Sequence, residues 1–405
     1  MALTYRCRNV NKRDPAVARD ARIAPASRAK SEFGSVALVL QGGGALGAYQ
    51  AGVYERLLEE GIEPTWLSGI SIGAINCAII AGNARENRVA RLREFWELVS
   101  DCESGVSGVW TGQPMVDAAR TWVNQLAALR AFALGVNGFF EPRMPPPYLL
   151  WNGGGATSYY DTAPLRATLE RLVDFDRINA GETRLSVGAV NVRTGNFAYF
   201  DNASHLIIGP EHIMASGALP PGFDAVQIGD EKYWDGGMVS NTPLDWVLSN
   251  SSGLDTQVWQ VDLWSAHGEL PSDLASVATR MKEIQYSSRT RAATDSLRKV
   301  KKLRAALSEL LAVIPAEIAA SPQAQLLAAA ADATRYNIVE LVYRSATYEG
   351  QYKDVEFSRR TMNEHWQAGY SDADATLAHE EIMKLPSVEN NPAVFDFLTK
   401  PAQPI

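Results

Sequence analysis

Val36-Ala37-Leu38-Val39-Leu40 runs directly into Gln41-Gly42-Gly43-Gly44-Ala45-Leu46-Gly47. An apolar run that meets a glycine cluster reads as a strand entering a tight loop. From about Ala45 to Glu60, the residues Ala48, Ala51, Gly52, Leu57 and Leu58 can form one apolar stripe against a sheet, with Gly61 ending the helix. Such a loop exposes backbone N–H groups at a helix N-terminus. These fixed dipoles suit either phosphate or the oxyanion of an acyl-transfer intermediate. Gly42, Gly44 and Gly47 also satisfy the dinucleotide fingerprint, which makes that the strongest competing reading. Against it, Glu60 and Glu63 stand beside Gly61 and Pro64 instead of at a clear second-strand end. No Gly-Lys-Ser/Thr follows, which excludes a P-loop.

Further along stands Gly69-Ile70-Ser71-Ile72-Gly73. A serine with glycine at both second neighbours suits a strained turn between strand and helix, where a larger side chain would block an approaching carbonyl. Ser71 is therefore a candidate nucleophile; the competing reading is a tightly packed turn. Asp235-Gly236-Gly237 alone is an ordinary turn between strands.

Together these segments resemble the patatin-like phospholipase family. Four blocks stand in the family's order: Gly42 to Gly47, Gly69 to Gly73, Ala215-Ser216-Gly217-Ala218-Leu219-Pro220 with Phe223, and Asp235-Gly236-Gly237 with Asn241 and Pro243. The resemblance covers roughly Ser35 to Trp264. After Tyr343 the chain looks like a bacterial subgroup with a C-terminal extension of unknown role.

The resemblance implies an α/β fold, a three-layer α/β/α sandwich with a mostly parallel central sheet and a largely helical C-terminal extension. It also implies a serine esterase or lipid acyl hydrolase working through a Ser–Asp dyad, with Ser71 as nucleophile and Asp235 as general base. The oxyanion would meet N–H groups drawn from Gly42, Gly43, Gly44 and Ile72, with Gly47, Gly69, Gly73, Gly236 and Gly237 as supporting motif positions. A serine hydroxyl needs a base within hydrogen-bond reach, and a carboxylate serves better when partly desolvated. Ala215 to Pro220 is expected to line the backbone near the site, with Ser216 not a second nucleophile. Other expectations stay open: acyl transfer to an alcohol, hydrolysis of short hydroxyacid oligoesters, or an inactive lipid-binding module.

Of the five histidines, His205, His212, His267, His365 and His379, three follow Asp235, but none has a turn-like context suggesting a catalytic loop. His365 and His379 fall in a charged helical segment and read as surface residues. No cluster has metal-ligand spacing, so neither metal nor cofactor is expected. Cys7, Cys77 and Cys102 imply no disulfide framework, and Cys77 reads as a packed thiol.

The 405 residues allow one large α/β domain and an appendage. Residues 1–32 read as a disordered basic tail, 33–270 as the catalytic domain and 271–405 as the mainly helical extension. No apolar run reaches the ~18 residues of a membrane span, so a cytoplasmic protein is expected, with peripheral membrane contact as an option. The net charge of −8 argues against nucleic-acid binding; the expected partner is a lipid or ester substrate. About residues 105–160 form an insertion that reads equally as a mobile lid or as a loop packed on the core: Phe139, Phe140, Pro145 to Pro147, Tyr148, Leu149, Leu150, Trp151 and Gly153 to Gly155. In the extension, Leu297, Val300, Leu303, Leu307, Leu310 and Leu311 recur at helical spacing beside Arg298, Lys299, Lys301, Lys302 and Arg304. That stripe either packs on its own domain or docks on an anionic membrane surface.

Overall fold

The computed structural model describes residues 32–100, 117–149, 155–250, 253–287, 290–346 and 348–398. The expected tail lies outside these except for Glu32, as do Cys7, Cys102, Leu150, Trp151, Gly153 and Gly154; the side chains of Leu297 and Arg298 are likewise outside the description.

The strands in chain order are β1 (Ser35–Leu40), β2 (Trp66–Gly69), β3 (Glu141–Pro142), β4 (Tyr160–Asp161), β5 (Arg184–Asn191), β6 (Phe197–Asp201), β7 (Val226–Ile228), β8 (Glu231–Asp235), β9 (Thr256–Asp262), β10 (Tyr336–Val342) and β11 (Ala393–Phe395). The helices used below are α1 (Ala48–Glu59), α2 (Ile72–Ala81), α3 (Arg88–Val99), α4 (Asp117–Leu134), α5 (Ala163–Leu172), α6 (Phe175–Asn179), α7 (Pro210–Ser216), α8 (Leu244–Ser249), α9 (Leu274–Tyr286), α10 (Thr290–Val313), α11 (Ala316–Ala319), α12 (Pro322–Ala330) and α13 (Arg359–Leu377).

One nine-stranded sheet runs β11-β10-β9-β1-β2-β5-β8-β7, with β6 also on β5. From β11 to β5 every pairing is parallel, while β6, β7 and β8 are antiparallel. β2 pairs with Arg184 to Val187 of β5 and β8 with Ala189 to Asn191, while β6 spans Ser186 to Val190. Thus β2 and β8 follow one another along the same edge of β5. β8 arrives antiparallel, so its last residue, Asp235 opposite Ala189, comes to the region where β2 ends.

The buried strands carry apolar residues on both faces, as in parallel sheets covered on both sides, with Gln257, Gln260 and Asn337 buried among them. Leu38 and Leu40 of β1, Trp259 and Val261 of β9 and Leu341 of β10 join the larger core, which α1, α2, α3 and α13 cover. Ala37, Val39, Val258 and Ile338 face the other way, onto Leu244, Val247 and Leu248 of α8. This is the expected three-layer architecture.

The boundary expected near residue 270 falls inside a continuous sheet, because β10 pairs with β9 along its whole length. The extension also returns α13 onto α1. A Cβ on Gly52 would run into the carbonyl of Trp366, and one on Gly369 into the carbonyl of Tyr49, so these helices cross backbone to backbone. That contact buries Met362, Trp366 and Ala373, and with them His365, which is 2% exposed. His365 is therefore not the surface residue its charged surroundings suggested. It lies 3.5 Å from the buried Glu349, whose carboxylate accepts the Tyr343 hydroxyl at 2.5 Å. His379 is half-buried, its ring stacked on that of Phe397 at 3.7 Å.

In the insertion, Phe139 and Phe140 are buried in the main core, whereas Met144, Tyr148 and Leu149 are exposed. α10 also differs from one of its two expectations. It buries Lys301, whose ammonium meets Asp332 at 2.5 Å and the Tyr336 hydroxyl at 3.2 Å, together with Ala305. Of the stripe, Val300, Leu303 and Leu310 face solvent while Leu307 and Leu311 are half-buried, so it packs on its own domain only in part.

The α1–α13 crossing predicts that Gly369→Leu destabilises the protein by about 3 kcal/mol or more, since a side chain must displace backbone instead of filling space. A urea titration followed by circular dichroism measures it; an unchanged midpoint would refute the close crossing.

Candidate active site

Ser71 follows β2 and caps α2, with φ 54° and ψ −122°. A non-glycine residue held at positive φ costs about 1–3 kcal/mol and persists only where its surroundings over-determine it. Here they do. A Cβ on Gly69 would strike the backbone of Gly73, and one on Gly73 would strike the carbonyl of Leu40 at the end of β1. All ten residues of α2 are buried, which fixes the downstream side of the turn. The Ser71 N–H donates to the Ser216 hydroxyl at 2.9 Å, and that hydroxyl donates to the Gly188 carbonyl at 2.6 Å.

Asp235 ends β8 and is buried. Its carboxylate accepts the Gly237 N–H at 2.7 Å and lies close enough to the Ser71 side chain for that hydroxyl to lower its proton affinity. Burial pushes its carboxyl up to about 7, against the lowering effect of the Gly237 N–H and the Ser71 side chain. Its own N–H donates to the Ala218 carbonyl at 3.0 Å. The segment 215–220 therefore holds both residues, Ser71 through a side chain and Asp235 through backbone. This role of Ser216 was not apparent from sequence, where only the small size of the segment was visible.

The glycine loop is a short 3₁₀ turn, Gly44–Gly47, leading into α1. Gly44 has φ 57°, and a Cβ there would run into the carbonyl of Asp354, which accepts the Ala45 N–H at 2.8 Å. Among the four expected oxyanion donors, Gly42 already spends its N–H on the Asn241 carbonyl at 3.3 Å. The N–H groups of Gly43, Gly44 and Ile72 have no acceptor among the described residues.

Buried amides pin this loop from below. Gln41 accepts the N–H groups of Leu263 and Trp264 at 2.6 and 2.9 Å and donates to Thr242 at 2.9 Å. Gln50 donates to the Gln41 carbonyl at 2.7 Å, and Asn76 donates to Gly47 and Gln50 at 3.0 Å each. Asn241, noted in the sequence without a role, donates to the Gly42 carbonyl at 3.0 Å and to that of Tyr286 at 2.8 Å. The Tyr286 phenol is raised by burial first, then by the nearby charges of Asp235 and Asp354.

The supporting glycines are all near-contact positions: a Cβ on Gly47 would meet Ile72 and Trp96, on Gly236 the Gly188 carbonyl, and on Gly237 the side chains of Asn241 and Asp235. The dinucleotide reading loses its acid, because Glu63 precedes β2 and pairs with Arg88 at 3.0 Å and Arg85 at 3.3 Å. Neither Ser71 nor Asp235 has a histidine partner among the described residues. Cys77 is buried on α2, and burial raises its thiol beyond ordinary ionisation. No group of three or more His, Cys, Asp or Glu among the described residues could hold a metal ion, and none of the described helices is long and apolar enough to cross a membrane.

A serine on a strained strand-to-helix turn, close to a buried carboxylate and to N–H groups without an acceptor among the described residues, has the form of a serine-hydrolase site. The patatin-like phospholipase family model matches residues 38–248, and a second, described as patatin phospholipase, matches residues 284–389. The chain belongs to the patatin-like phospholipase family. Triacylglycerol lipase ptl3 of Schizosaccharomyces pombe is 36% identical over 95 residues, which are 24% of this chain and 19% of that lipase. The chain thus matches about a fifth of this curated relative. The crystal structure of VipD from Legionella pneumophila aligns with a TM-score of 0.37 at 16% identity, over 86% of this chain and 67% of that one.

Ser216→Ala would leave a half-buried donor, the Ser71 N–H, without its acceptor and remove a bond from the buried Gly188 carbonyl. Each unsatisfied buried group costs about 1–3 kcal/mol, so the variant is expected to unfold at clearly lower urea concentration than wild type. No change in the midpoint would show that Ser71 keeps its turn without this hydroxyl.

Proposed function

We propose that the chain hydrolyses carboxylic ester bonds of lipids through an acyl-enzyme on Ser71, with Asp235 as general base. The observation that carries this reading is a serine held at φ 54° beside a fully buried carboxylate whose pKa is pushed up to about 7. Family membership supplies the substrate class.

The Asp235 carboxylate takes the hydroxyl proton of Ser71 as Oγ attacks the ester carbonyl. The resulting oxyanion is met by backbone donors, with Gly43, Gly44 and Ile72 the ones left free by the fold. Collapse expels the alkoxide, which recovers the proton from Asp235. Water then attacks the acyl-enzyme, giving its proton to Asp235, and Ser71 Oγ leaves as the hydroxyl is restored. A carboxylate of ordinary acidity would be a poor base for this cycle; burial brings its proton affinity close to working pH.

Hydrolysis of a p-nitrophenyl ester series tests the reading. Ser71→Ala and Asp235→Asn are each expected to lower kcat by about 10³-fold or more, and an active-site fluorophosphonate should label Ser71 in wild type. Full activity in either variant would sink the mechanism.

Asp235 also makes a prediction about pH. Activity requires the ionised form, so kcat/KM rises with pH through about 7. Stability moves the opposite way. Between an unfolded carboxyl value of about 4 and the folded value of about 7, the native state keeps a proton that the unfolded chain has lost. Folding stability therefore falls as pH rises across that window. Asp235→Asn removes the penalty, so its stability gain over wild type is expected to be larger at about pH 8 than at about pH 5. Equal gains at both would show that Asp235 is not the group whose burial sets the profile.

A further inference from the structure

Two helices beside the glycine loop have their polarity turned inside out. α4 buries Arg120, Asn124, Ala128 and Ala131, and on the opposite side it presents Trp122, Leu126 and Leu129, which are 69, 58 and 56% exposed. α9 has no buried residue at all. Its Lys282 and Glu283 turn inward to Asp354 and Lys353 at 2.8 and 2.9 Å, while Leu274, Val277, Met281 and Ile284 recur at helical spacing on the exposed side. A helix at the surface of a globular protein normally shows the reverse pattern.

Both helices lie at the end of the sheet that carries Ser71. The turn Gly350–Tyr352 stands between them: the Tyr352 ring meets Phe132 of α4 at 6.0 Å, and Lys282 of α9 donates to the Gln351 carbonyl at 3.1 Å. Two residues on, the Asp354 carbonyl receives the Ala45 N–H of the glycine loop. The last residue of α9, Tyr286, accepts from Gln41 and Asn241 through its carbonyl. Met238 and Val239, which follow Asp235-Gly236-Gly237, are exposed as well.

We propose that the outward faces of α4 and α9 form a docking surface that seats the chain on a neutral lipid surface next to the site. The proposal rests on the lipid-ester reading above, which makes hydrocarbon the natural occupant of an apolar surface linked to the glycine loop. Charge points the same way. Arg120 pairs with Glu364, Arg280 with Glu283 and Lys282 with Asp354, and Arg130 is partnered too. No cation on these two helices is left for headgroup phosphates, so apolar contact carries the docking and salt does not weaken it.

Co-sedimentation with phosphatidylcholine vesicles tests the surface, using the full chain with Ser71→Ala, a Trp122→Ser/Leu126→Ser pair and a Met281→Ser/Ile284→Ser pair. Each pair is expected to lower vesicle partitioning by about tenfold or more, while hydrolysis of a soluble butyrate ester stays within about twofold of wild type and Ser71→Ala still binds. A conservative second variant guards against misfolding: Trp122→Phe should reduce the quenching of tryptophan emission by brominated phosphatidylcholine. The proposal is overturned if partitioning and quenching are unchanged. Binding only to anionic vesicles and only at low salt also overturns it, as does loss of self-association with vesicle binding intact. A wild type that binds vesicles but cleaves no ester sinks the hydrolase reading and leaves the docking face standing.

Discussion

Everything at this site depends on holding Ser71 in a backbone conformation that it would not adopt alone. Positive φ lifts the side chain out of the turn, and the turn is tight enough that Gly73 lies against the last carbonyl of β1. Strain of this kind is stable only if relaxation costs more than it returns. Relaxing Ser71 would pull a fully buried α2 and break the bond from Ser71 N–H to Ser216. The central sheet thus serves as the rigid body against which one serine is bent, and β1, β2 and β5 each contribute one wall.

The second constraint is electrostatic. In the proposed mechanism, with no histidine partner among the described residues, the base is a carboxylate whose proton affinity must suit a serine hydroxyl, and burial is the first cause that raises it. Burial raises the proton affinity of Asp235, and the Gly237 N–H and the Ser71 side chain work against that rise. The antiparallel approach of β8 makes this possible. It delivers the carboxylate to the interior end of a strand, sealed under 215–220, instead of to a solvent-facing loop.

What was legible in the sequence was local. The Gly42 to Gly47 loop, the Ser71 turn and Asp235-Gly236-Gly237 each announce themselves because their geometry forbids most side chains, and glycine spacing records that prohibition. Ser216 carries no such mark, because its work is a single hydrogen bond to a backbone that is distant in sequence. Periodicity likewise identifies an apolar face without saying whether it is buried. α10 was open to two readings on that ground, and the buried ion pair of Lys301 shows which face turned inward. His365 was misjudged for the related reason that a charged segment can still bury one face when glycines let another helix come close, as Gly52 and Gly369 do.

The extension, whose role the sequence left open, is coupled to the site through backbone groups. Asp354 occupies the space that a side chain on Gly44 would fill and takes the Ala45 N–H, so the loop's left-handed residue and its neighbour are set by a carbonyl from more than 300 residues away. Tyr286 supplies another carbonyl, which the Gln41 and Asn241 side chains share, and so ties the glycine loop to the segment after Asp235. Neither contact depends on side-chain identity at Asp354 or Tyr286, because both use main-chain oxygens. What must be kept is the path of the chain, and the Lys282–Asp354 and Lys353–Glu283 ion pairs fix that path. With Lys353 almost fully buried, breaking its pair would strand a charge instead of releasing one. The N–H groups of the glycine loop beside Ser71 are therefore aimed partly by the C-terminal extension.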